Sequence, residues 1–254
     1  MTAHEISSGL TSTVIGRPIR VYSEVTSTND IALQLASKGV PEGISIFAEN
    51  QTDGRGRLGR AWISTSGKSL LLSVLLRPAF QDVSRISLAA AVAVARTLEN
   101  LTEGSVGIKW PNDIYISGRK VAGILCESSQ GVIIVGIGIN VLQKASDFPA
   151  ALSTTAGSLA MVSECVLERA SIAATLLNEF DAIYATLPNG FEDVIDECEM
   201  RSTLLGREVE AAIGAFSICG TVSGLNTDGA LQVRDKLGVE RSVNAGEITL
   251  LKTN

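Results

Sequence analysis

Between residues 51 and 60 the chain reads Gln-Thr-Asp-Gly-Arg-Gly-Arg-Leu-Gly-Arg, with Arg55, Arg57 and Arg60 separated by Gly54, Gly56 and Gly59. Glycine lets main-chain N–H groups approach an anion without a Cβ in the way, and the guanidinium fork matches carboxylate and phosphate oxygens. Such a segment suits a loop that closes over an anionic ligand. A solvated basic surface loop has the same composition, so the flanks decide between the two. Here both flanks are apolar and strand-like, whereas RGG-type nucleic-acid segments sit in disordered sequence.

A second dense stretch runs from Lys109 through Trp110-Pro111-Asn112-Asp113 to Arg119-Lys120, amid apolar residues. Polar groups beside buried strands are costly unless paired or used. Taken alone, Asn112-Asp113 also reads as a turn bonding its own backbone, and Arg119-Lys120 as a solvated hairpin tip. Two nucleotide motifs are excluded. Gly67-Lys68-Ser69 resembles the end of a P-loop, but the required first glycine is Trp62; Gly136-Ile137-Gly138 begins a dinucleotide fingerprint, but its third glycine is Val141.

Composition narrows the chemistry further. The 254 residues carry a net charge of -6 and are 45 % hydrophobic, enough for a sizeable core and without the basic face that sequence-independent nucleic-acid binding needs. His4 is the single histidine, near a terminus expected to be mobile, so a Ser-His-Asp or Cys-His device could use only it, and it sits in no motif. Arginine, lysine, carboxylate or metal electrostatics must carry any catalysis. Cys126, Cys165, Cys198 and Cys219 lie far apart and argue against a zinc site or disulfide framework. The sequence shows neither signal-peptide character nor an apolar run of ~18 residues, which points to a reduced, cytoplasmic setting with no membrane partner.

The elements that must position these residues follow from pattern. Strands are expected at 19–25, 44–48, 69–76, 106–110, 112–116, 121–127 and 131–141, the third apolar enough to be buried on both faces. Ser27-Thr28-Asn29-Asp30 offers capping side chains to a helix that Gly39 ends; further helices are expected at 82–101, 168–187 and 191–200. The arginine-rich loop links two of the strands, Ser117 to Lys120 forms a hairpin turn, and 143–158 is a polar loop. Past Thr203 the composition turns to Val, Gly and Thr with turn signals, as in a small barrel.

The ordered set Ser27-Thr28-Asn29, Gln51 with Gly54 to Arg60, KWPND at 109–113, GRKVAGIL at 118–125 and GIGIN at 136–140 resembles the biotin protein ligases. The resemblance is dense over 19–142. It implies an α+β fold: a central mixed β-sheet with flanking helices, class II synthetase-like, in a catalytic domain 1–202, followed by a small SH3-like β-barrel at 203–254. It also implies an activity, in which biotin and ATP give biotinoyl-5'-AMP and pyrophosphate, and biotin then passes to one lysine of a biotin-carrier domain. By the same resemblance Ser27, Thr28 and Asn29 meet the biotin ring, Gln51 borders its pocket, and Gly54, Arg55, Gly56 and Arg57 close over the carboxylate and activated phosphate. Lys120 reaches the carboxylate or phosphoryl region, and Gly123, Gly136 and Gly138 line the tail channel. Arg57, Arg60, Trp62, Lys109, Asn112 and Asn140 fall on the adenylate side, Arg57, Lys109 and Lys120 are the catalytic candidates, and Asp113 is the candidate Mg2+ ligand.

Implied partners are biotin, ATP and the biotin-carrier subunit of acetyl-CoA carboxylase, with a homodimer as the family expectation. Bifunctional members carry an N-terminal helix-turn-helix of about 60 residues, whereas about 18 precede the first strand here, so no DNA-binding repressor role is expected. The alternatives are a lipoate or octanoate ligase or transferase of related fold, a non-catalytic biotin or nucleotide sensor, and an RNA-binding protein using the GRGR segment.

Overall fold

The computed structural model describes residues 1–79, 82–187, 189–214 and 216–251. Its larger sheet has seven strands: β1 (Ile19–Val25), β2 (Ser45–Gln51), β3 (Ser69–Leu76), β4 (Val106–Lys109), β5 (Asp113–Ile116), β6 (Arg119–Ser129) and β7 (Val132–Asn140), in the order β1-β2-β3-β7-β6-β5-β4. The β1–β2 pair is parallel, as its crossover through helix α2 (Thr28–Ser37) requires, and the other pairs are antiparallel. The sheet is therefore mixed, as expected.

Every residue of β3 is buried because both faces of the sheet are covered. On one face α2 packs Ala32 and Leu35 against Ile46, Leu75 and Ile134. On the other lie α3 (Val83–Glu99), α4 (Arg169–Thr186) and α5 (Phe191–Met200). Helix α3 can sit flat on the sheet because its inner face is rich in alanine, with Ala89 to Ala95 fully buried. Asp82 starts it by accepting from the N–H groups of Ser84 and Arg85 at 2.9 and 3.2 Å.

The C-terminal unit is a five-stranded antiparallel sheet of β8 (Glu208–Ile213), β9 (Phe216–Leu225), β10 (Leu231–Asp235), β11 (Glu240–Val243) and β12 (Glu247–Leu250), ordered β11-β10-β9-β8-β12. It is not a loosely tethered appendage. Val209, Val222, Leu231 and Ile248 belong to the same buried cluster as α3 and the large sheet, and the Trp110 indole N–H donates to the Gly229 carbonyl at 3.0 Å.

Two local features differ from the sequence expectation. The hairpin turn comprises only Ser117 and Gly118, both at positive φ, so Arg119 and Lys120 already belong to β6. Arg119 is no solvated tip, since it donates to the carbonyls of Ser153 and Ala156 at 2.6 and 3.2 Å. The N-terminal region is also ordered, with a short helix α1 (Ala3–Ser7) and a fully buried Ile6.

What anchors that region is Asp181 on α4. Its carboxylate accepts from the backbone N–H groups of Thr13, Val14 and Ile15 at 2.7, 3.0 and 2.8 Å. Burial works against the charge, but the three N–H donors and the Thr13 hydroxyl outweigh it, holding the carboxyl below its usual range. A depressed carboxyl pKa contributes stability above the unfolded value of about 3.9 and loses it as pH falls through the folded value. Asp181→Asn is therefore expected to cost about 1–3 kcal/mol at pH 7, a deficit that shrinks below about pH 4; denaturant unfolding of both proteins across pH 3–7 measures it.

Candidate active site

The start of α2, the first part of β6 and the C-terminal half of β7 border a cavity of about 330 Å³, at the lower end of the ~300–1,000 Å³ usual for small-molecule sites. Gln51 and the loop that follows β2 form one side, and residues 109–113 another. Ser27 is the N-cap of α2 by backbone conformation but makes no side-chain capping bond, contrary to its expected role; it lines the cavity instead. Thr28 is held by Gln51, whose Oε1 accepts from its N–H at 2.8 Å and its hydroxyl at 2.9 Å.

The arginine-rich loop folds on itself as a small hairpin. Gly56 N–H donates to the Arg60 carbonyl at 2.7 Å, and Trp62 N–H to that of Gly54 at 2.8 Å. Leu58 and Gly59 form its tip in the left-handed region, at φ 56° and 72°. Gly54 stands apart from the other expected site residues: it is buried at the loop base and does not line the cavity. A Cβ there would sit 2.7 Å from the Trp62 carbonyl and 2.9 Å from Gln51 Nε2, so the close backbone approach explains the glycine. Every other residue expected at the site lies on the cavity wall.

The basic residues differ in how they are neutralised. Arg55 holds Asp30 in a fork, at 2.5 and 3.1 Å, with Glu127 3.8 Å away; Arg60 pairs with Glu247; Lys120 lies 2.7 Å from Asp113 Oδ1 and 5.6 Å from the Trp62 ring. The Asp30 bond, opposed by burial, raises the Arg55 pKa and depresses that of Asp30. Arg57 and Lys109 form no ion pair among the described residues. Arg57 donates to Asn112 Oδ1 at 3.1 Å and the Gly246 carbonyl at 3.3 Å, and burial pulls its pKa down despite the nearby Asp113 charge. Lys109 stands 5.9 Å over the Tyr115 ring.

Asn112 is itself clamped, donating through Nδ2 to the Ile124 carbonyl at 2.7 Å. Asn140 donates to the Gly157 carbonyl at 2.9 Å and accepts from Gln143 at 3.2 Å. The Trp62 indole lies on the backbones of Gly123 and Gly138, and its N–H is buried without a hydrogen-bond partner among the described residues.

Several wall or support residues were not singled out from sequence. Asp30 and Glu127 fix Arg55 and Asn29; Phe148 and Leu152 come from the 143–158 loop; Gly246, Glu247 and Ile248 come from the C-terminal sheet. Asp30, adjacent to the Ser-Thr-Asn triplet, and Glu127, a lone acid ending an apolar strand, carried a local signal. The contribution of 246–248 is made by tertiary packing alone.

Comparison with known proteins places the chain in a family. Residues 21–143 match the Biotin/lipoate A/B protein ligase family, and residues 204–251 match the Biotin protein ligase C terminal domain. The Bifunctional ligase/repressor BirA of Bacillus spizizenii is 33% identical over 253 residues, covering 96% of this chain and 78% of that protein. The chain belongs to the biotin protein ligase family. The Biotin--[acetyl-CoA-carboxylase] ligase of Mycobacterium tuberculosis is 32% identical over 244 residues, covering 93% of this chain and 90% of that one. Among solved structures, the biotin protein ligase from Aquifex aeolicus in complex with biotin and ATP superposes with a TM-score of 0.83 at 30% identity, covering 93% of this chain and all of that one.

In this ligase the packing of Trp62 on Gly138 can be tested directly. A Cβ at position 138 would lie 2.5 Å from the indole Cε2. Gly138→Ala is expected to expel the ring and cost about 1–3 kcal/mol. In a Trp110→Phe background, which leaves Trp62 as the sole tryptophan, its fluorescence should shift to the red. An unshifted spectrum would contradict the contact.

Proposed function

We infer that the protein is an ATP-dependent biotin protein ligase that makes biotinoyl-5'-AMP and transfers biotin to one lysine of the carrier domain of a biotin-dependent carboxylase. The observation that carries this reading is the half-buried guanidinium of Arg57, facing the cavity with an amide oxygen and a carbonyl as hydrogen-bond partners and, among the described residues, no carboxylate in an ion pair with it. A cation in that condition is available to two anions at once. The biotin carboxylate must attack the α-phosphorus of ATP, forming a C–O–P linkage as the bond to pyrophosphate breaks, and the repulsion between the reactants must be screened.

Arg57 and Lys109 supply that screening, and Lys120 joins them when an incoming anion draws it from Asp113. Ser27, Thr28, Asn29 and Gln51 provide donors and acceptors for the ureido head, and Gly123, Gly136 and Gly138, whose backbones admit Trp62 and Asn29 at close range, line the tail channel. Trp62 offers its face and its unpartnered N–H on the adenylate side, with Arg60, Asn112 and Asn140. In the second step the acceptor lysine's neutral amine attacks the acyl carbon and AMP leaves; the activated acyl group makes a histidine base unnecessary.

Mg2+ fits the donor set in one way. The described residues contain no group of three or more His, Cys, Asp or Glu side chains that could cage a metal, but Asp113 lines the cavity and Mg2+ usually binds through one or two carboxylates together with substrate phosphates. Asp113 would hold it, and the ion would neutralise phosphate charge. We place the domain division at 202/203, with the C-terminal unit closing the cavity through 246–248. Among the described residues no helix is long and apolar enough to cross a membrane; a cytoplasmic setting belongs to the same reading.

The test mixes protein, labelled biotin, ATP and Mg2+ with a biotin-carrier domain and with its acceptor-Lys→Arg version. Label on the first alone is the expected result, and label on neither overturns the reading. Arg57→Ala should lower adenylate formation by about 10²-fold with an unchanged circular dichroism spectrum; a wild-type rate would remove Arg57 from the mechanism.

A further inference from the structure

Behind the cavity wall lies a polar cluster in which hydroxyl hydrogens are too few. Ser73, in the middle of β3, is fully buried, and its Oγ lies 2.7 Å from Thr28 Oγ1 and 2.5 Å from Asn29 Oδ1. The Thr28 hydroxyl also lies 2.9 Å from Gln51 Oε1. Both amides are oriented by partners of fixed polarity. The Thr28 N–H can only donate, so Gln51 presents its oxygen; Glu127 and the Leu125 carbonyl can only accept, so Asn29 presents Nδ2 to them, at 2.5 and 3.5 Å, and Oδ1 to Ser73.

Three contacts thus depend on hydroxyl hydrogens, and the hydroxyls of Ser73 and Thr28 supply one each. Gln51 Oε1 already holds the Thr28 N–H, so the Thr28 hydroxyl can donate either to it or to Ser73, and in either arrangement one of the three contacts goes without a hydrogen. Each contact includes Thr28 or Asn29, which line the cavity while Ser73 does not, so the missing hydrogen is supplied from the cavity side, by a donor on the ligand. The architecture protects the arrangement: Gly136 is the register partner of Ser73 on β7, and a Cβ on Gly136 would overlap Asn29 Oδ1.

We propose that Ser73 is a positioning residue that sets ligand specificity, making the head of the pocket an acceptor that selects a ring N–H, as in a cyclic urea, over a head group without one, such as a dithiolane. The proposal rests on the biotin ligase reading and deepens it. Ser73 acts through Thr28 and Asn29 and touches no reacting atom.

The test is ATP–pyrophosphate exchange driven by biotin and by biotin methylated on a ureido nitrogen, in wild type, Ser73→Ala and Ser73→Thr, with melting temperatures alongside. Ser73→Ala should raise the KM for biotin roughly tenfold while the KM for ATP and kcat stay within about twofold, and should narrow the preference for biotin over its N-methyl form. Ser73→Thr, which keeps the hydroxyl, should recover most of both. If the alanine variant does not fold, Ser73→Cys, close in size and a weaker donor, carries the same expectation. A folded Ser73→Ala with the wild-type KM and preference overturns the proposal, as does a parallel rise in the KM for ATP. Wild-type protein giving no exchange with either compound overturns the ligase reading itself, a separate result.

Discussion

The site depends on how positive charge is kept in place within an acidic chain. Arg55, Arg60 and Lys120 each hold a carboxylate, on Asp30, Glu247 and Asp113, and these pairs set where the cations stand before any ligand arrives. They are partly or largely exposed: the Arg60 and Glu247 side chains are 63% and 46% accessible. Exposed pairs contribute only about 0–1 kcal/mol, so the folded state owes them little, and a phosphate or carboxylate competes for the cation at small cost. Arg57 and Lys109 need no such exchange. Neither has a carboxylate partner among the described residues, and the backbone and amide oxygens around Arg57 orient its charge without cancelling it.

The same contacts explain why a second sheet belongs to the site. The loop after β2 carries two of its arginines onto β12 and the residue before it: Arg57 to the Gly246 carbonyl and Arg60 to the Glu247 side chain. Those positions lie nearly 200 residues from the loop in sequence. They are held relative to the large sheet by a shared apolar core and by the chain between α5 and β8, where Ile108 N–H donates to the Arg201 carbonyl at 2.8 Å and Thr203 N–H to that of Ile108 at 3.0 Å. A glycine-rich loop has many conformations to lose on ordering. Anchoring it at two points on a rigid wall reduces the number left for ligand binding to remove.

Local pattern made most of the framework legible. SLLLSVLL reads as a strand apolar enough to be buried on both faces, and β3 spans those residues; the alanine-rich run became α3, and α4 and α5 fall within a residue of their expected ends. Ordered motifs likewise brought nearly every expected residue to one cavity. What escaped was information that only packing contains. The order of the N-terminal region depends on Asp181, more than 160 residues away, and nothing in a polar segment announces such a partner. Ser73 carries no local signal inside an apolar strand; its meaning appears only when α2 lays Thr28 and Asn29 across it. Gly54 read as part of an anion cradle, whereas the crossing backbone at Trp62 accounts for it.

The two ends of the site use different physics, and Arg55 lies between them. At the head, buried neutral groups at 2.5–2.9 Å define polarity, which suits discrimination because a wrong partner leaves a desolvated group unpaired. At the loop, charges define field, which suits screening between reactants. Arg55 belongs to the loop by sequence, yet its guanidinium is turned to Asp30 on α2 and lies near Glu127, the same carboxylate that takes the Asn29 amide. Asn29 and the first arginine of the loop thus meet at one carboxylate, which ties the polar head of the pocket to its charged side.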